Sequence, residues 1–291
     1  MSILIYDAEN SPFKTVYVDI THRCQMQCAN CYLPNRLVPD MDIETLYRTV
    51  SLFPQKTDLR LIGGEPTLRL DLPDIIKNLC KLGHRPMLIT NGLKLASSEY
   101  TKMLYDSGLR YAQISLNGLD DDSIYQITDK MKCAKEKMSA IQNCSDQGIS
   151  VAIATILIRN INMHLFDKFI DLSIKLKKPA RINFRNIGAI GRNLSEVVKN
   201  VSMEEMVQLL SLKIDLPEKI ILNSKTANNQ IRVPILKNVR RSQQVIVKLT
   251  DWSIYAESKG RDTKSQIRGR ITKDFKIAPF FEHVLENEFG Y

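Results

Sequence analysis

The sequence predicts an α/β protein: a partial (β/α)6 barrel followed by a C-terminal β-containing extension. Three observations carry this. Six short β-rich runs recur along the first two hundred residues, and helix-like stretches lie between them. Regular alternation of this kind argues for parallel strands joined by right-handed crossovers. After residue 200 the pattern changes to closely spaced alternating runs. Six units make most of a barrel of eight, and an open doubly wound sheet is the structural alternative.

The strands are read, in order, at "VYVDIT" (16–21), "DLRLIGG" (58–64), "PMLITNG" (86–92), "YAQISLNG" (111–118), "SVAIATILI" (150–158) and "RINFRNIG" (181–188). Between them, Leu72, Ile75, Ile76, Leu79 and Leu82 form a helical stripe, and Leu165, Phe169, Leu172 and Leu176 form another. Residues 120–147 read as one long helical segment, and residues 203–212 as a further helix. "KIILNSK", "NQIRVPILK" and "QQVIVKL" then read as strands added at the end of the barrel. Residues 257–270 are polar and glycine-containing and read as a loop, while "FKIAPFFEHVLENEF" closes the chain as a short apolar anchor. The expected organisation is a core at 1–200 and a basic extension at 201–291 that caps the barrel.

The hydrophobic fraction is 44% and the charged fraction 25%, both ordinary for a globular protein. No apolar run approaches the ~20 residues of a membrane helix. The N-terminus lacks the basic start and long apolar stretch of a signal peptide, so a cytoplasmic protein without a membrane partner is expected. The formal net charge is +9. Residues 237–276 hold eleven Lys/Arg against four Asp/Glu, so most of the excess belongs to the extension.

"RCQMQCANCY" places Cys24, Cys28 and Cys31 just after the first strand. Barrel enzymes put their active sites at that end of the strands. In a reducing compartment, clustered cysteines point to a metal or a cluster rather than to disulfides. A closed zinc site normally takes four protein ligands. Three thiolates suit an iron–sulfur cluster with one iron left open, although the spacing alone leaves zinc and free thiols in play. Cys80, Cys133 and Cys144 fall in helical segments and read as buried small hydrophobes.

The Cys-x3-Cys-x2-Cys spacing after strand one resembles the signature of the radical S-adenosylmethionine (radical SAM) superfamily. "IGGEPTLR" (62–69) resembles its Gly-Gly-Glu-Pro motif, and "TNG" (90–92) and "SLNG" (115–118) end strands three and four as in members with partial TIM-like barrels. The resemblance covers about residues 15–195 and is closest to the branch containing the molybdenum-cofactor cyclase and peptide-modifying enzymes. It implies a [4Fe–4S] cluster ligated by Cys24, Cys28 and Cys31, whose fourth iron chelates the amino and carboxylate groups of SAM. It places Gly63, Gly64 and Glu65 at that amino group, and Asn91, Ser115 and Asn117 at the barrel mouth, where SAM sits. Two glycines let a backbone approach a ligand closely, and a glutamate can pair with an ammonium.

Two departures stand out. Relatives often carry Asp where this chain has Asn117. Many also carry an aromatic residue just before the third cysteine, where this chain has Asn30 and then Tyr32 after it. Tyr32 either takes over that packing role or supports the loop from below. Arg159, Asn160, Asn162, Arg185 and Arg192, at the ends of strands five and six, are candidates to meet SAM or substrate, since Arg suits a carboxylate bidentately. Gly188 and Gly191 are expected to shape a turn near the adenine.

The resemblance implies reductive cleavage of SAM to a 5′-deoxyadenosyl radical that abstracts hydrogen from substrate, with flavodoxin or ferredoxin as electron donor. No cysteine follows Cys144, so no second cluster is expected; about 20 residues precede the first motif, so no separate N-terminal peptide-binding domain is expected. The basic extension favours an acidic or phosphate-bearing small molecule. Modification of a peptide or protein is the alternative, while one Trp near Tyr255 is a poor stacking platform for nucleic acid. Two rivals from other classes are a non-catalytic iron–sulfur regulatory protein and a zinc-binding interaction module.

Overall fold

The computed structural model describes residues 5–33, 36–178, 181–188, 200–225, 230–236, 244–252 and 268–280. The expected strands form at β1 (Thr15–Thr21), β2 (Asp58–Gly63), β3 (Arg85–Thr90), β4 (Tyr111–Ser115), β5 (Ser150–Ile156) and β6 (Arg181–Arg185), all parallel and in sequential order. Helices α1 (Ile43–Ser51), α2 (Leu72–Lys81), α3 (Ser98–Asp106), α4 (Asp122–Thr128), α5 (Ala134–Gln147) and α6 (Phe166–Lys175) supply the crossovers. The α2 stripe of Leu72, Ile75, Ile76 and Leu79 is fully buried. Alternate strand residues, such as Leu59 and Leu61 of β2, are buried in the apolar core, while Arg60 and Ile62 line the barrel interior. Several helix starts are fixed by side chains: Asp42 accepts from the Glu44 amide and Ser97 from the Tyr100 amide.

The segment 120–147 is two helices rather than one. Lys130 takes a left-handed conformation (φ 58°) after α4. This break places Asp129 opposite Lys137 of α5.

After residue 200, α7 (Met203–Ile214) begins with a capping box between Ser202 and Glu205. "KIILNSK" is not a strand. It forms α8 (Glu218–Asn223), entered through Pro217, whose fixed φ suits a helix start. β7 (Gln230–Leu236) and β8 (Gln244–Thr250) form as expected. Residues 268–270 of the expected loop instead belong to β9 (Arg268–Ile271), and β10 (Ile277–Pro279) follows; residues 257–267 and the closing residues 281–291 lie outside the described residues.

The sheet order is β10-β9-β1-β2-β3-β4-β5-β6-β8-β7. β8 runs parallel to β6 and β9 runs parallel to β1. The strands after residue 200 therefore bring the parallel set to eight, one added at each edge, with antiparallel β7 and β10 outside them. An unpaired edge strand is a liability, and both edges of the six-stranded core are covered in this way. The two sides meet where Arg268 of β9 donates to the Gln230 side chain of β7 at 3.4 Å. Among the described residues no helix is long and apolar enough to cross a membrane.

Candidate active site

The site forms at the C-terminal ends of β1 to β4. The cysteine loop leaves β1 at Thr21 and is tied down on two sides. The Ala29 amide donates to the Thr128 carbonyl at 2.8 Å, and the Tyr32 hydroxyl donates to the Gly63 carbonyl at 3.3 Å. Tyr32 thus links the loop to β2 and also lines the cavity.

Gly63 and Gly64 are needed for a reason that the sequence did not show. Gly63 has φ +129°, and a Cβ there would lie 2.0 Å from the Thr21 carbonyl oxygen. A Cβ on Gly64 would lie 2.4 Å from the Arg23 carbonyl oxygen and 2.5 Å from that of His22. The Gly64 and Glu65 amides donate to the Thr21 and Arg23 carbonyls at 2.7 and 2.8 Å. The β2 end is therefore pressed against the backbone that carries the cysteines. Both glycines also line the cavity, so close approach by a ligand remains compatible with their place.

Glu65 is fully buried and does not line the cavity. Its Oε1 accepts from the Thr67 amide (3.1 Å) and from the Thr67 and Thr90 hydroxyls (both 2.6 Å), and its Oε2 accepts from the Asn91 amide (2.7 Å). A carboxylate with four donors at the ends of β2 and β3 fixes the mutual position of "GGE" and "TNG".

Asn91, Ser115 and Asn117 all line the cavity. Asn117 accepts the Ile156 amide at 3.1 Å through Oδ1 and donates to Asp129 Oδ1 at 3.3 Å. The amide at this position thus serves as both acceptor and donor. Asn162 is buried and donates to the Asn117 and Ile156 carbonyls, so it supports the mouth. Asn160 is exposed on the next turn. Arg185 lines the cavity, its guanidinium 4.7 Å from the Trp252 ring centre. Arg159 does not line it: its guanidinium pairs with Glu205 at 2.6 Å and donates to the Asn200 carbonyl. Gly188 packs against Trp252, where an added Cβ would meet the ring at 2.9 Å. Gly191, Arg192 and Tyr255 lie outside the described residues.

Sequence reasoning missed several cavity residues. Asp129 and Lys137 form a buried ion pair at 3.1 Å, and the lysine also donates to the Asn91 and Ser115 carbonyls. Lys137 thereby joins the β3 end, the β4 end and the turn that holds Ala29. Tyr17, Arg60, Gln113, Lys248 and Arg268 line the same cavity from within the barrel. The available signal was a charged residue, Arg60 or Lys248, inside an otherwise apolar strand.

Cys24, Cys28 and Cys31 are half-buried, free of disulfides and face one cavity of about 280 Å³. Burial pushes the Cys28 thiol up to about 12, with the Asp129 carboxylate adding to it, and burial also raises Cys24. Each must shed a proton to ligate a metal. Arg36 donates to the Cys31 sulfur at 3.1 Å, a cation beside a would-be thiolate. Among the described residues no three His, Cys, Asp or Glu side chains are placed to hold one metal ion. Three thiols spread around one cavity, without a fourth, fit a cluster ligated at three separate irons. Cys133 and Cys144 are buried in the apolar core, as expected, while Cys80 is half-buried under Gly108.

A family model described as the radical SAM superfamily matches residues 18–173. Among curated proteins, Fe-coproporphyrin III synthase of Methanosarcina barkeri is 29% identical over 230 residues, covering 75% of this chain and 54% of that protein. GTP 3',8-cyclase of Clostridium perfringens is 26% identical over 221 residues, covering 72% of this chain and 64% of that protein. The match thus spans between half and two thirds of these relatives' length. Among solved structures, Streptococcus suis SuiB bound to precursor peptide SuiA shares the fold, with a TM-score of 0.65 at 13% identity over 94% of this chain and 61% of that one.

Proposed function

Because the chain belongs to the radical SAM superfamily, we propose that it abstracts hydrogen from an acidic or phosphate-bearing small molecule held inside the barrel. The observation that carries this is the continuity of the cavity: the three thiols at its mouth and Arg60, Arg185, Lys248 and Arg268 further in line one space. Two relatives are named for anionic small molecules, GTP and Fe-coproporphyrin III, which supports the reading.

When bound, the [4Fe–4S] cluster and SAM supply the electron and the 5′-deoxyadenosyl radical. The chain's own residues do the rest. Cys24, Cys28 and Cys31 would hold three irons. Gly63 and Gly64 would present backbone to the SAM amino group, while Glu65 positions that backbone through Thr90 and Asn91. Asn91, Ser115 and Asn117 would contact the nucleoside side of SAM from the mouth, and Tyr32 closes the loop over β2. Arg185 is assigned to the boundary between SAM and substrate. Arg159, tied to Glu205, is a support for α7 rather than a ligand contact. Residues 201–291 are read as the extension that completes the substrate end of the barrel, since β8 and β9 contribute Lys248 and Arg268. Walls of this kind exclude water from a reactive radical. Reduction would come from a protein donor of the flavodoxin or ferredoxin kind.

The test is anaerobic reconstitution, reduction with dithionite and addition of SAM, read by EPR and by mass spectrometry of 5′-deoxyadenosine, beside Cys28→Ala. A SAM-perturbed cluster signal with cysteine-dependent 5′-deoxyadenosine is expected. A reconstituted cluster whose signal ignores SAM would sink the reading.

A further inference from the structure

Four cations on four strands face the barrel interior: Arg60 of β2, Arg185 of β6, Lys248 of β8 and Arg268 of β9. None of them forms an ion pair with a described carboxylate. Their neighbour Arg270 does, meeting Asp19 at 2.7 Å, so the chain supplies a counter-charge one step along β9 and not here. The contacts they do make are with neutral groups. Arg60 and Arg268 donate to the Tyr17 hydroxyl at 3.1 and 3.5 Å, and Arg268 also reaches Gln230 at 3.4 Å. The Nε groups of Arg60 and Arg185 are buried without a hydrogen-bond partner.

Buried charges in proteins are normally paired, because an isolated one is costly to desolvate. A cluster of like charges adds mutual repulsion. The surroundings register both effects. Burial alone would raise the Tyr17 phenol, but Arg60, Arg268 and Arg185 outweigh it and leave the phenol below its ordinary value. Burial drives Lys248 down to about 5, and Arg268, Arg232, Arg185 and Arg60 push the same way. Arginine keeps its proton in such a place, so the lysine is the group that yields.

We propose that this inner chamber binds a small molecule carrying at least two carboxylate or phosphate groups, held by Arg60, Arg185, Arg268 and Lys248. As a substrate site it rests on the function proposed above; as an anion site it stands on the geometry alone. SAM does not account for the cations. Its carboxylate is implied to go to the cluster, and its sulfonium is itself positive. Three guanidinium forks and an ammonium around one chamber suit more than one anionic group, each bound bidentately by a fork. A chamber built within the strands favours a compact ligand over a long acidic chain.

The state of Lys248 gives the site a signature. The charged groups around it are Arg181 and Arg185 on β6, Arg232 on β7, Arg268 on β9 and Arg60 on β2, with the Tyr17 phenol on β1; none is an acid. Helices α6 and α7 also pack against β8, and no described acid on either pairs with the lysine. An entering polyanion reverses the local field, so Lys248 takes up a proton as the ligand binds.

The experiment is isothermal calorimetry on the cluster-loaded full chain without SAM, in two buffers of different ionisation enthalpy. The probes are pyrophosphate, tricarballylate and hexaglutamate. Saturable binding of pyrophosphate or tricarballylate with uptake of about one proton near neutral pH is expected. Arg60→Gln and Arg268→Gln should each weaken binding about tenfold or more, the loss of one charge-assisted contact. Lys248→Met should abolish proton uptake while leaving weaker binding. The two small anions separate phosphate from carboxylate preference. No saturable binding of either one, binding unaffected by the three substitutions, or preference for hexaglutamate would each overturn the proposal. Cleavage of SAM by the wild-type protein is measured in parallel. Anion binding without SAM cleavage would refute the enzymatic reading and leave the anion site standing, and the reverse result would do the opposite.

Discussion

The Thr90 hydroxyl donates to Glu65 Oε1 at 2.6 Å, joining the ends of β2 and β3 beneath the cysteine loop. With the Thr67 and Asn91 donors, this makes Glu65 the acceptor of four hydrogen bonds in a place closed to solvent. Glu65→Ala leaves four donors, two backbone amides among them, without a partner. Each buried orphan costs about 1–3 kcal/mol. Denaturant unfolding of the cluster-free chain is expected to show Glu65→Ala several kcal/mol less stable, and Thr90→Val, which orphans the Gly92 amide alone, about 1–3 kcal/mol less stable. Equal losses for the two would place the anchor elsewhere.

Gly63→Ala and Gly64→Ala should separate loop geometry from global stability. Both added methyls run into carbonyl oxygens of the cysteine-loop backbone, at 2.0 and 2.4 Å. The loop has to move away, and the three thiols move with it. Iron and sulfide content after reconstitution is expected to fall well below wild type in both variants. Full iron loading in Gly64→Ala would show that the loop yields freely.

Lys137 and Asp129 form a pair in which both side chains are almost wholly out of water. Removing one partner of a buried pair leaves an unpaired charge, at a loss of about 3–5 kcal/mol. Lys137→Met should therefore destabilise strongly. Lys137→Met combined with Asp129→Asn should recover part of that loss. A double variant less stable than the sum of the two single ones would contradict the pairing.

Lys248 also sets a pH dependence. Its value in the folded chain is about 5, far below the ordinary 10.5 of lysine. Between those values the unfolded chain holds a proton that the folded chain does not. Stability from this group therefore rises with pH across that window and is lowest at or below about 5. Lys248→Met should melt higher than wild type at pH 6 and show a shallower rise between pH 6 and pH 8. Thermal melts at both pH values check this, and an unchanged slope would mean that another group titrates.

The motifs legible in the sequence were local ones. Cys24, Cys28 and Cys31 lie within eight residues, and the "GGE", "TNG" and "SLNG" ends announce themselves by composition. What stayed hidden depends on distant pairing. Lys137 looks like one more polar residue on a helix, until the break after α4 turns Asp129 toward it. Arg60 and Lys248 sit 188 positions apart and share a chamber only because β8 pairs with β6 and the sheet curls. β9 was hidden in a stretch of polar, glycine-containing residues. It pairs with β1, and Gly269 leaves room there for the Phe13 ring, which an added Cβ would meet at 2.6 Å. Periodicity cannot show which edge a late strand will join, because that is decided by which edge is left open.

The first strand's two neighbours come from very different times in synthesis. β2 follows it closely, but the Tyr17 and Arg268 side chains that meet across β1 and β9 are 251 residues apart. A chain emerging from the ribosome can pair β1 with β2 early, yet one flank of the strand that leads into the cysteine loop stays bare until β9 has been made. The barrel wall beside the first half of β1 is thus completed only after β9 has been translated. Iron and sulfide delivery is accordingly expected to act on a chain in which β9 has already been made.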